Sequence, residues 1–335
     1  MTEIELKVEN LKKYFPIKKG IISALKGEPQ RFVKAVDGIS FSIERRQIFA
    51  LVGESGCGKT TTGKMIVKLL EPSSGRILLR GKDVTTITDP AEIKEYRRRV
   101  QMVFQDPFSS VNPRLRIYNI LEEPLIIHDI GDTRSEREEM IHQAMELVRL
   151  TPPEEFLSRF PHMLSGGQRQ RVAIARALIL NPEFIVADEP VSMLDVSIRA
   201  EILEIMRTLR DKMNLTYLYI THDMSTARYF ADWIAVMYLG RIVEMGQVDD
   251  VIDNPMHPYT KALISAVPEP EPSRRDIIKD VPIKGEIPSA SNIPSGCRFH
   301  PRCIYAKAGL CDVSPPEMVE IKKDHFVECH LLGEA

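Results

Sequence analysis

GESGCGKT, residues Gly53–Thr60, is the stretch that decides the fold of this chain. It matches the phosphate-binding pattern of a glycine, four residues and then Gly-Lys-Thr. The apolar run Gln47–Val52 directly before it predicts a buried strand. The residues directly after it predict a helix whose apolar face is formed by Met65, Ile66, Leu69 and Leu70.

A strand, a glycine-rich turn and a helix in this order favour a phosphate site over an ordinary turn that opens a helix. Glycines let the backbone fold so that its N–H groups face phosphate oxygens, and the helix N-terminus adds partial positive charge. Lys59 then reaches the β- and γ-phosphates, and the Thr60 hydroxyl ligates Mg²⁺. The stretch predicts a nucleoside triphosphate site.

Length and composition limit the other possibilities. A chain of 335 residues predicts a main domain with an appendage, and 43% hydrophobic and 27% charged residues suit a folded protein with an ample core. The formal net charge of −2 provides no electrostatic basis for binding nucleic acid or lipid headgroups. We find no apolar run of membrane-spanning length and no signal-peptide core, so we expect any membrane role to come through a partner.

Two aromatic residues follow the first predicted strand, which covers residues 3–9. Tyr14 and Phe15 stand before a Lys/Gly-rich loop that continues to Phe32. An aromatic ring near a phosphate loop can stack on adenine, or it can simply fill the core at a strand end. The residues alone leave both possibilities open.

From Phe108 to Leu180 the pattern becomes helical. Within it, Leu164–Gln170 (LSGGQRQ) is polar, rich in glycine and followed by an apolar helical face. Ser165, Gly166 and Gly167 at a helix start predict a second anion-binding surface, although a capped helix start is the simpler alternative.

Polar residues end three further predicted strands. Phe184–Glu189 (FIVADE) ends in two acidic residues. Asp188 suits Mg²⁺, and Glu189 is placed to orient or deprotonate a water molecule. The alternative is that the two residues cap the next helix. Asp195 leads the next predicted helix, which we place from Val191 onward. His222 also ends a strand, at the sheet edge where an open α/β sheet collects its ligand. Gln105 ends the strand in VFQDP.

Taken in order, five stretches make the chain resemble the nucleotide-binding subunit of ABC transporters: GESGCGKT, Gln105 in VFQDP, LSGGQRQ, FIVADEP with SMLD, and His222 in THD. LSGGQ discriminates best, because phosphate loops alone occur in many NTPases. The resemblance covers about residues 4–250 and implies an α/β P-loop NTPase core. It also implies an N-terminal antiparallel β subdomain and an α-helical subdomain inserted at about residues 108–180.

The resemblance implies that two such subunits pack head to tail around ATP. The expected catalytic residues are Lys59, Gln105, Glu189 and His222. Phe15 is expected to stack on adenine, with Tyr14 as the alternative. The expected Mg²⁺ ligands are Thr60, Gln105 and Asp188. The remaining expected nucleotide-binding positions are Gly53, Ser55, Gly56, Cys57, Gly58, Thr61, Gly166 and Asp195. Ser165, Gly167 and Gln168 are expected to act on the partner's ATP.

Further stretches narrow the family. NPMHPYTKALISAVPEP resembles the segment that follows this domain in dipeptide and oligopeptide importers. QDPFSSVNPR, DEPVSMLDVSI and YFPIKKG with VKAVDGISF resemble their F-type ATPase more than its D-type partner. This implies two transmembrane permeases, an extracellular substrate-binding protein, and a D-type paralogue or a second copy as partner, at the cytoplasmic face of the membrane. Oligosaccharides or nickel are the alternative cargoes. A soluble ABC ATPase acting on ribosomes or DNA, or an exporter cassette, lacks support, since the chain has one cassette, no heptad arms and no fused membrane helices.

The last segment forms the expected appendage, residues 256–335, which follows an ATPase domain of residues 1–255. A Pro-rich linker, Pro268–Pro294, precedes four cysteines with five, seven and seventeen residues between them: Cys297, Cys303, Cys311 and Cys329. Four thiolates can hold a [4Fe–4S] cluster or one zinc ion. The spacing contains no paired Cys-x-x-Cys, and importer relatives with such a tail carry a cluster, so we favour the cluster. His300, His325 and His330 keep a mixed zinc site as the alternative.

Overall fold

The computed structural model describes residues 3–17, 29–106, 111–266 and 283–332. The Lys/Gly-rich loop over residues 18–28, Phe108 and the larger part of the Pro-rich linker lie outside the described residues. The linker residues 283–294 are described, and they form irregular backbone with a single β-bridge from Ile283 to Cys303.

Twelve strands occur in the described part of the chain. They are β1 (Ile4–Pro16), β2 (Phe32–Glu44), β3 (Ile48–Val52), β4 (Ser74–Leu79), β5 (Lys82–Asp83), β6 (Val100–Val103), β7 (Phe184–Asp188), β8 (Thr216–Thr221), β9 (Trp233–Tyr238), β10 (Arg241–Gln247), β11 (Met318–Lys322) and β12 (His325–Glu328).

Ten α-helices occur in the same ranges. They are α1 (Lys59–Ile66), α2 (Pro90–Arg99), α3 (Ile117–Ile127), α4 (Arg134–Leu147), α5 (Glu154–Leu157), α6 (Gly166–Leu178), α7 (Val196–Met213), α8 (Met224–Phe230), α9 (Val248–Asp253) and α10 (Pro258–Ser265).

An antiparallel sheet at the N-terminus has the strand order β2-β1-β4-β5. Alternate residues of β1 and β2 face inward, so that Leu6, Val8, Phe41 and Ile43 are buried. The first strand is longer than predicted, because its pairing with β2 continues to Pro16. The predicted antiparallel β subdomain is confirmed.

The second sheet has eight strands in the order β11-β12-β10-β9-β3-β8-β7-β6. Strands β9, β3, β8, β7 and β6 are parallel to one another, whereas β10 pairs antiparallel with β9. Every residue of β3, β7 and β8 is buried, as is typical of parallel strands covered on both faces. The α/β core predicted from the apolar runs is confirmed.

Helices α3 to α6 form the inserted helical subdomain between β6 and β7. Two predicted helices are shorter than expected. Helix α1 ends at Ile66, and Leu69 beyond it is half exposed, so it does not belong to a buried helical face. Residues 191–194 form a turn, and α7 starts only at Val196.

The C-terminal tail is integrated into the main fold more fully than the sequence indicates. Strand β12 pairs with β10 through Val327 and Glu244, so the tail adds two strands to the central sheet. Phe299 is buried against the rings of Tyr238 and Tyr259, at centroid distances of 5.3 and 5.4 Å. Backbone pairing and apolar packing therefore attach the tail.

No helix in the described ranges is both long enough and apolar enough to cross a membrane.

Phe299 provides a test of this integration. Replacing Phe299 with Ala removes a ring that is 1% exposed, and we expect a loss of about 3–5 kcal/mol in the free energy of unfolding. Urea unfolding monitored by circular dichroism measures this loss. Ile304→Ala, in the same tail but 50% exposed, should change the unfolding free energy little. A core transition that stays at the wild-type urea midpoint in Phe299→Ala would contradict the shared core.

Candidate functional site

The parallel strands bring three predicted site segments to one edge of the sheet. Val52 of β3 pairs with Thr221 of β8, and Asp188 of β7 pairs with Ile220 of β8. The chain leaves these strands at neighbouring carboxyl ends, which are the ligand-binding edge of an open α/β sheet. The segments that begin at Gly53, Glu189 and His222 therefore meet there.

Carbonyl groups of the phosphate loop bind the side chain of its own lysine. Lys59 is 4% exposed, and its Nζ donates hydrogen bonds to the carbonyl oxygens of Gly53 at 2.6 Å and Glu54 at 3.0 Å. Lys59 is also the first residue of α1, and no side chain of the described residues caps that helix start. The N–H groups of the first helical turn are thus available to an anion.

Two glycines of the loop have no room for a side chain. A Cβ on Gly53 would lie 2.2 Å from the carbonyl oxygen of Met237, and one on Gly58 would lie 2.2 Å from that of Ala35. Gly58 also has φ of 112°, which L-residues with a side chain rarely adopt. The backbone of β2 and β9 therefore fixes the shape of the loop.

Thr60 and Asp188 form an oxygen-rich pair beside the loop. The Thr60 hydroxyl donates to Asp188 Oδ1 at 3.0 Å. Burial raises the pKa of the Asp188 carboxyl, the Thr60 hydrogen bond opposes this, and the charge of Glu189 adds to the rise. A hydroxyl and a carboxylate are oxygen ligands of the type that Mg²⁺ takes, so these two residues fit the predicted metal.

Glu189 collects the other two polar residues at one carboxylate oxygen. Gln105 Nε2 donates to Glu189 Oε2 at 3.0 Å, and His222 Nδ1 lies 3.1 Å from the same oxygen. Glu189 has φ of 45°, a left-handed conformation that costs energy in a residue with a side chain and that orients its carboxylate. The structure thus brings together Gln105, Glu189 and His222, as the sequence predicted.

The LSGGQ segment forms the start of α6. Ser165 and Gln168 make a reciprocal capping box, with the Gln168 backbone N–H donating to Ser165 Oγ at 3.3 Å and the Ser165 N–H donating to Gln168 Oε1 at 3.0 Å. Ser165 is exposed, and Gly166 and Gly167 are half-buried. Within the described residues, the hydrogen bonds of the capping side chains stay within the segment.

Asp195 and the two aromatic residues occupy flanking positions. Asp195 is exposed and directly precedes α7. Tyr14 donates a hydrogen bond from its hydroxyl to Asp37, which holds its ring in place. Phe15 is the more exposed ring, at 36%, with Lys13 Nζ 5.2 Å from its centroid.

The four tail cysteines line one small cavity. Its other walls are His257, Pro258, Phe299, His300, Ala306, His330 and Leu331. Burial, together with the charges of the other three cysteines, raises the pKa of the Cys297 thiol to about 12. The four thiols therefore converge, although the described residues include no group of three or more His, Cys, Asp or Glu side chains that could hold a metal ion.

The three tail histidines do not act together. His325 is buried in a contact of 2.8 Å with Glu244 and does not line the cysteine cavity, so its inclusion among the alternative zinc ligands was wrong. His300 contacts the carbonyl oxygen of Cys297 through Nδ1, and His330 contacts that of Ser314 through Nε2.

One contact to the phosphate loop was not foreseen. Arg302 of the tail forms an ion pair with Glu54, the second residue of the loop, with Arg302 Nη1 2.8 Å from Glu54 Oε2. The Tyr259 hydroxyl accepts a hydrogen bond from the Glu54 backbone N–H at 2.9 Å. The sequence around Glu54 and around Arg302 does not predict this contact, because the two residues are far apart in the chain.

Comparison with known families agrees with this geometry. A profile of the family described as "ABC transporter" matches residues 36–192, and one described as "Oligopeptide/dipeptide transporter, C-terminal region" matches residues 243–311.

Several curated proteins are similar over nearly the whole chain. An oligopeptide transport ATP-binding protein, AppF of Bacillus subtilis, is 46% identical over 331 residues, which is 98% of each chain. A dipeptide transport ATP-binding protein, DppF of Haemophilus influenzae, is 46% identical over 95% of this chain and 94% of its own.

Solved structures share the fold. CbiO1 from Clostridium perfringens, part of an ABC transporter complex, superposes with a TM-score of 0.63 at 26% identity, covering 75% of this chain and 92% of its own. A dimeric ATP-binding cassette in a post-hydrolysis state with ADP and Pi has a TM-score of 0.61 at 27% identity, covering 72% of this chain and 98% of its own.

Gly58 allows the loop geometry to be tested. Gly58→Ala places a Cβ against Ala35 at a strained φ, so we expect fluorescent-nucleotide binding to weaken by more than about tenfold. Gly81→Ala is the matched control, since Gly81 has φ of 77° but nothing within 4 Å of a Cβ. Equal nucleotide affinities in the two variants would show that the close approach to Ala35 does not shape the site.

Proposed function

The chain belongs to the ATP-binding subunits of oligopeptide/dipeptide ABC transporters, and from this membership we propose that it powers the import of dipeptides or oligopeptides by coupling ATP hydrolysis to the opening and closing of an ATPase dimer. It is an ATP-hydrolysing transport subunit. The observation that carries the proposal is the convergence of Gln105 and His222 on one carboxylate oxygen of Glu189, beside the phosphate loop.

We assign the following roles to the site residues. Phe15 stacks on adenine, and the loop N–H groups of residues 53–61 with Lys59 hold the phosphates. Thr60, Asp188 and Gln105 would hold Mg²⁺, which would supply positive charge beside the phosphoryl group that is transferred.

Glu189 acts as the base that orients and deprotonates the attacking water. Gln105 and His222 hold its carboxylate, and His222 turns toward the γ-phosphate when nucleotide is bound. The strained backbone at Glu189 supports this role, because such strain persists where the surrounding structure requires one side-chain direction.

We assign the second half of each ATP site to a partner subunit, either a D-type paralogue or a second copy. Ser165, Gly166, Gly167, Gln168 and Asp195 face the partner's ATP. The exposed apolar side chains beside them support an interface: Met163 is 57%, Met193 62% and Val196 80% exposed. Phosphate charge between two helix N-termini draws the subunits together, and hydrolysis weakens that attraction.

A groove between the sheet and the helical subdomain suits a permease segment. Its volume is about 270 Å³, and its walls include Met102, Phe104 and Ala177. Exposed Leu69 and Ile127 extend its apolar surface. Phe104 in the groove directly precedes Gln105 in the site, so a permease segment seated there has a short covalent route to the catalytic carboxylate.

In this proposal, the membrane partners determine where the chain is located and which cargo the transporter imports. Two transmembrane permeases hold the chain at the cytoplasmic face of the membrane, and an extracellular substrate-binding protein selects the peptide. We assign residues 1–255 to the ATPase domain and residues 256–335 to the extension that contains the tail.

We assign a [4Fe–4S] cluster to Cys297, Cys303, Cys311 and Cys329. The shared cavity with its apolar walls supports this assignment. The cluster supplies positive charge that stabilises buried thiolates. Its role here is structural.

The function is tested by uptake. In a strain lacking this gene, the wild-type chain should restore uptake of a labelled tripeptide, whereas Glu189→Gln should restore none. Purified Glu189→Gln should release phosphate at less than about 1% of the wild-type rate, yet still bind ATP and dimerise with it on size exclusion. Glu138→Gln, on the exposed face of α4, is the matched carboxylate control. Restored uptake of maltotriose or nickel instead of tripeptide would redirect the cargo assignment.

The cluster has its own test. Protein purified without oxygen should be brown and contain about four iron atoms per chain, with a broad visible band that dithionite bleaches. Cys311→Ser should lose the colour, and Cys57→Ser, which alters the cysteine of the phosphate loop, should keep it. A colourless wild-type protein with one zinc per chain would overturn the assignment.

A further inference from the structure

The tail reaches the phosphate loop through a forked ion pair. Arg302 Nη1 donates to Glu54 Oε2 at 2.8 Å and Nη2 donates to Glu54 Oε1 at 3.1 Å. Arg302 is 6% exposed. Two parallel, partly buried, charge-assisted hydrogen bonds fix both the distance and the orientation of the two side chains.

Arg302 is itself held firmly. Its guanidinium carbon lies 5.8 Å from the centroid of Tyr238 and 5.9 Å from that of Phe299. Its carbonyl oxygen accepts a hydrogen bond from Lys284 N–H at 2.9 Å, and the next residue, Cys303, lines the cysteine cavity. The position of the guanidinium therefore depends on the folded tail.

Glu54 links the tail to the phosphate loop through its backbone as well as its side chain. Its backbone N–H donates to the Tyr259 hydroxyl at 2.9 Å, while its carbonyl oxygen accepts from Lys59 Nζ at 3.0 Å. Both the side chain and the backbone of Glu54 are thus fixed by residues after position 255, and the same residue holds the lysine that binds phosphate.

A second stretch of the tail contacts the loop. Ile287, Pro288 and Ala290 wall a cavity of about 200 Å³ whose opposite side is formed by residues 54–57. The Lys34 backbone N–H donates to the Ala290 carbonyl oxygen at 3.2 Å, which attaches this stretch to β2. Two separate stretches of the tail thus approach the phosphate loop.

We infer that Arg302 is a positioning residue for ATP binding: it neutralises and orients Glu54, so that the affinity of the phosphate loop for ATP depends on the C-terminal tail. The inference rests on the proposed ATP site at Gly53–Thr60. Without Arg302, the unpaired Glu54 carboxylate in that loop repels the triphosphate and no longer fixes the loop. A Glu54 carboxylate that is paired with Arg302 has neither effect.

The test compares ATP affinities of full-length variants by isothermal titration calorimetry. Arg302→Gln should weaken ATP binding at least about tenfold, the scale of a lost charge-assisted hydrogen bond, with kcat at saturating ATP largely kept. The double variant Glu54→Gln/Arg302→Gln should recover much of the affinity, because no unpaired carboxylate remains. Arg302→Lys, which keeps the charge but not the fork, should fall between wild type and Arg302→Gln.

Arg241→Gln is the matched control. Arg241 forms a forked pair with Glu328 that joins β10 to the tail, at 2.8 Å for the shortest contact, and makes no contact with the loop in the described residues. It should lower the melting temperature without weakening ATP binding. If Arg302→Gln binds ATP as wild type does, if the double variant recovers nothing, or if Arg241→Gln loses affinity equally, the inference is wrong.

Two outcomes separate this inference from the proposed function. A wild-type chain that neither binds nor hydrolyses ATP refutes the proposed site itself. If the wild-type chain binds ATP and Arg302→Lys binds it with the same affinity, only the role of Arg302 is refuted. Arg302→Lys also keeps the test decisive if Arg302→Gln fails to fold.

Discussion

The parallel alignment of β3, β8 and β7 is the constraint on which the rest of the site depends. It places the phosphate loop, the Asp188–Glu189 pair and His222 at neighbouring strand ends. Backbone hydrogen bonds set these positions, so each short polar side chain needs to reach only a few ångströms. The contacts of 3.0 Å from Thr60 to Asp188 and from Gln105 to Glu189 are direct consequences.

Two parts of the site are preorganised within the chain. Lys59 is already held by loop carbonyl groups, and Glu189 is already oriented by Gln105 and His222. The signature helix start, in contrast, is closed by its own capping box, and exposed apolar residues stand beside it.

The tail joins the ATPase by three kinds of interaction. Strand β12 pairs with β10, Phe299 enters the core, and Arg302 forms its ion pair with Glu54. A segment that the chain reaches only after a Pro-rich linker is therefore part of the same sheet and touches the phosphate loop. The cysteine cavity lies between these attachments and shares their wall at Phe299.

The sequence by itself determined the local features: the glycine-rich loop after a buried strand, the acidic pair after β7 and the helix start at Ser165. Short-range rules govern these features, since apolar runs, glycines and capping residues act on their immediate neighbours. The tertiary structure alone decided that β12 joins the central sheet, that His325 pairs with Glu244, and that Arg302 contacts Glu54. The reason is physical: edge pairing and buried ion pairs depend on which distant surfaces meet, and no local pattern encodes the partner.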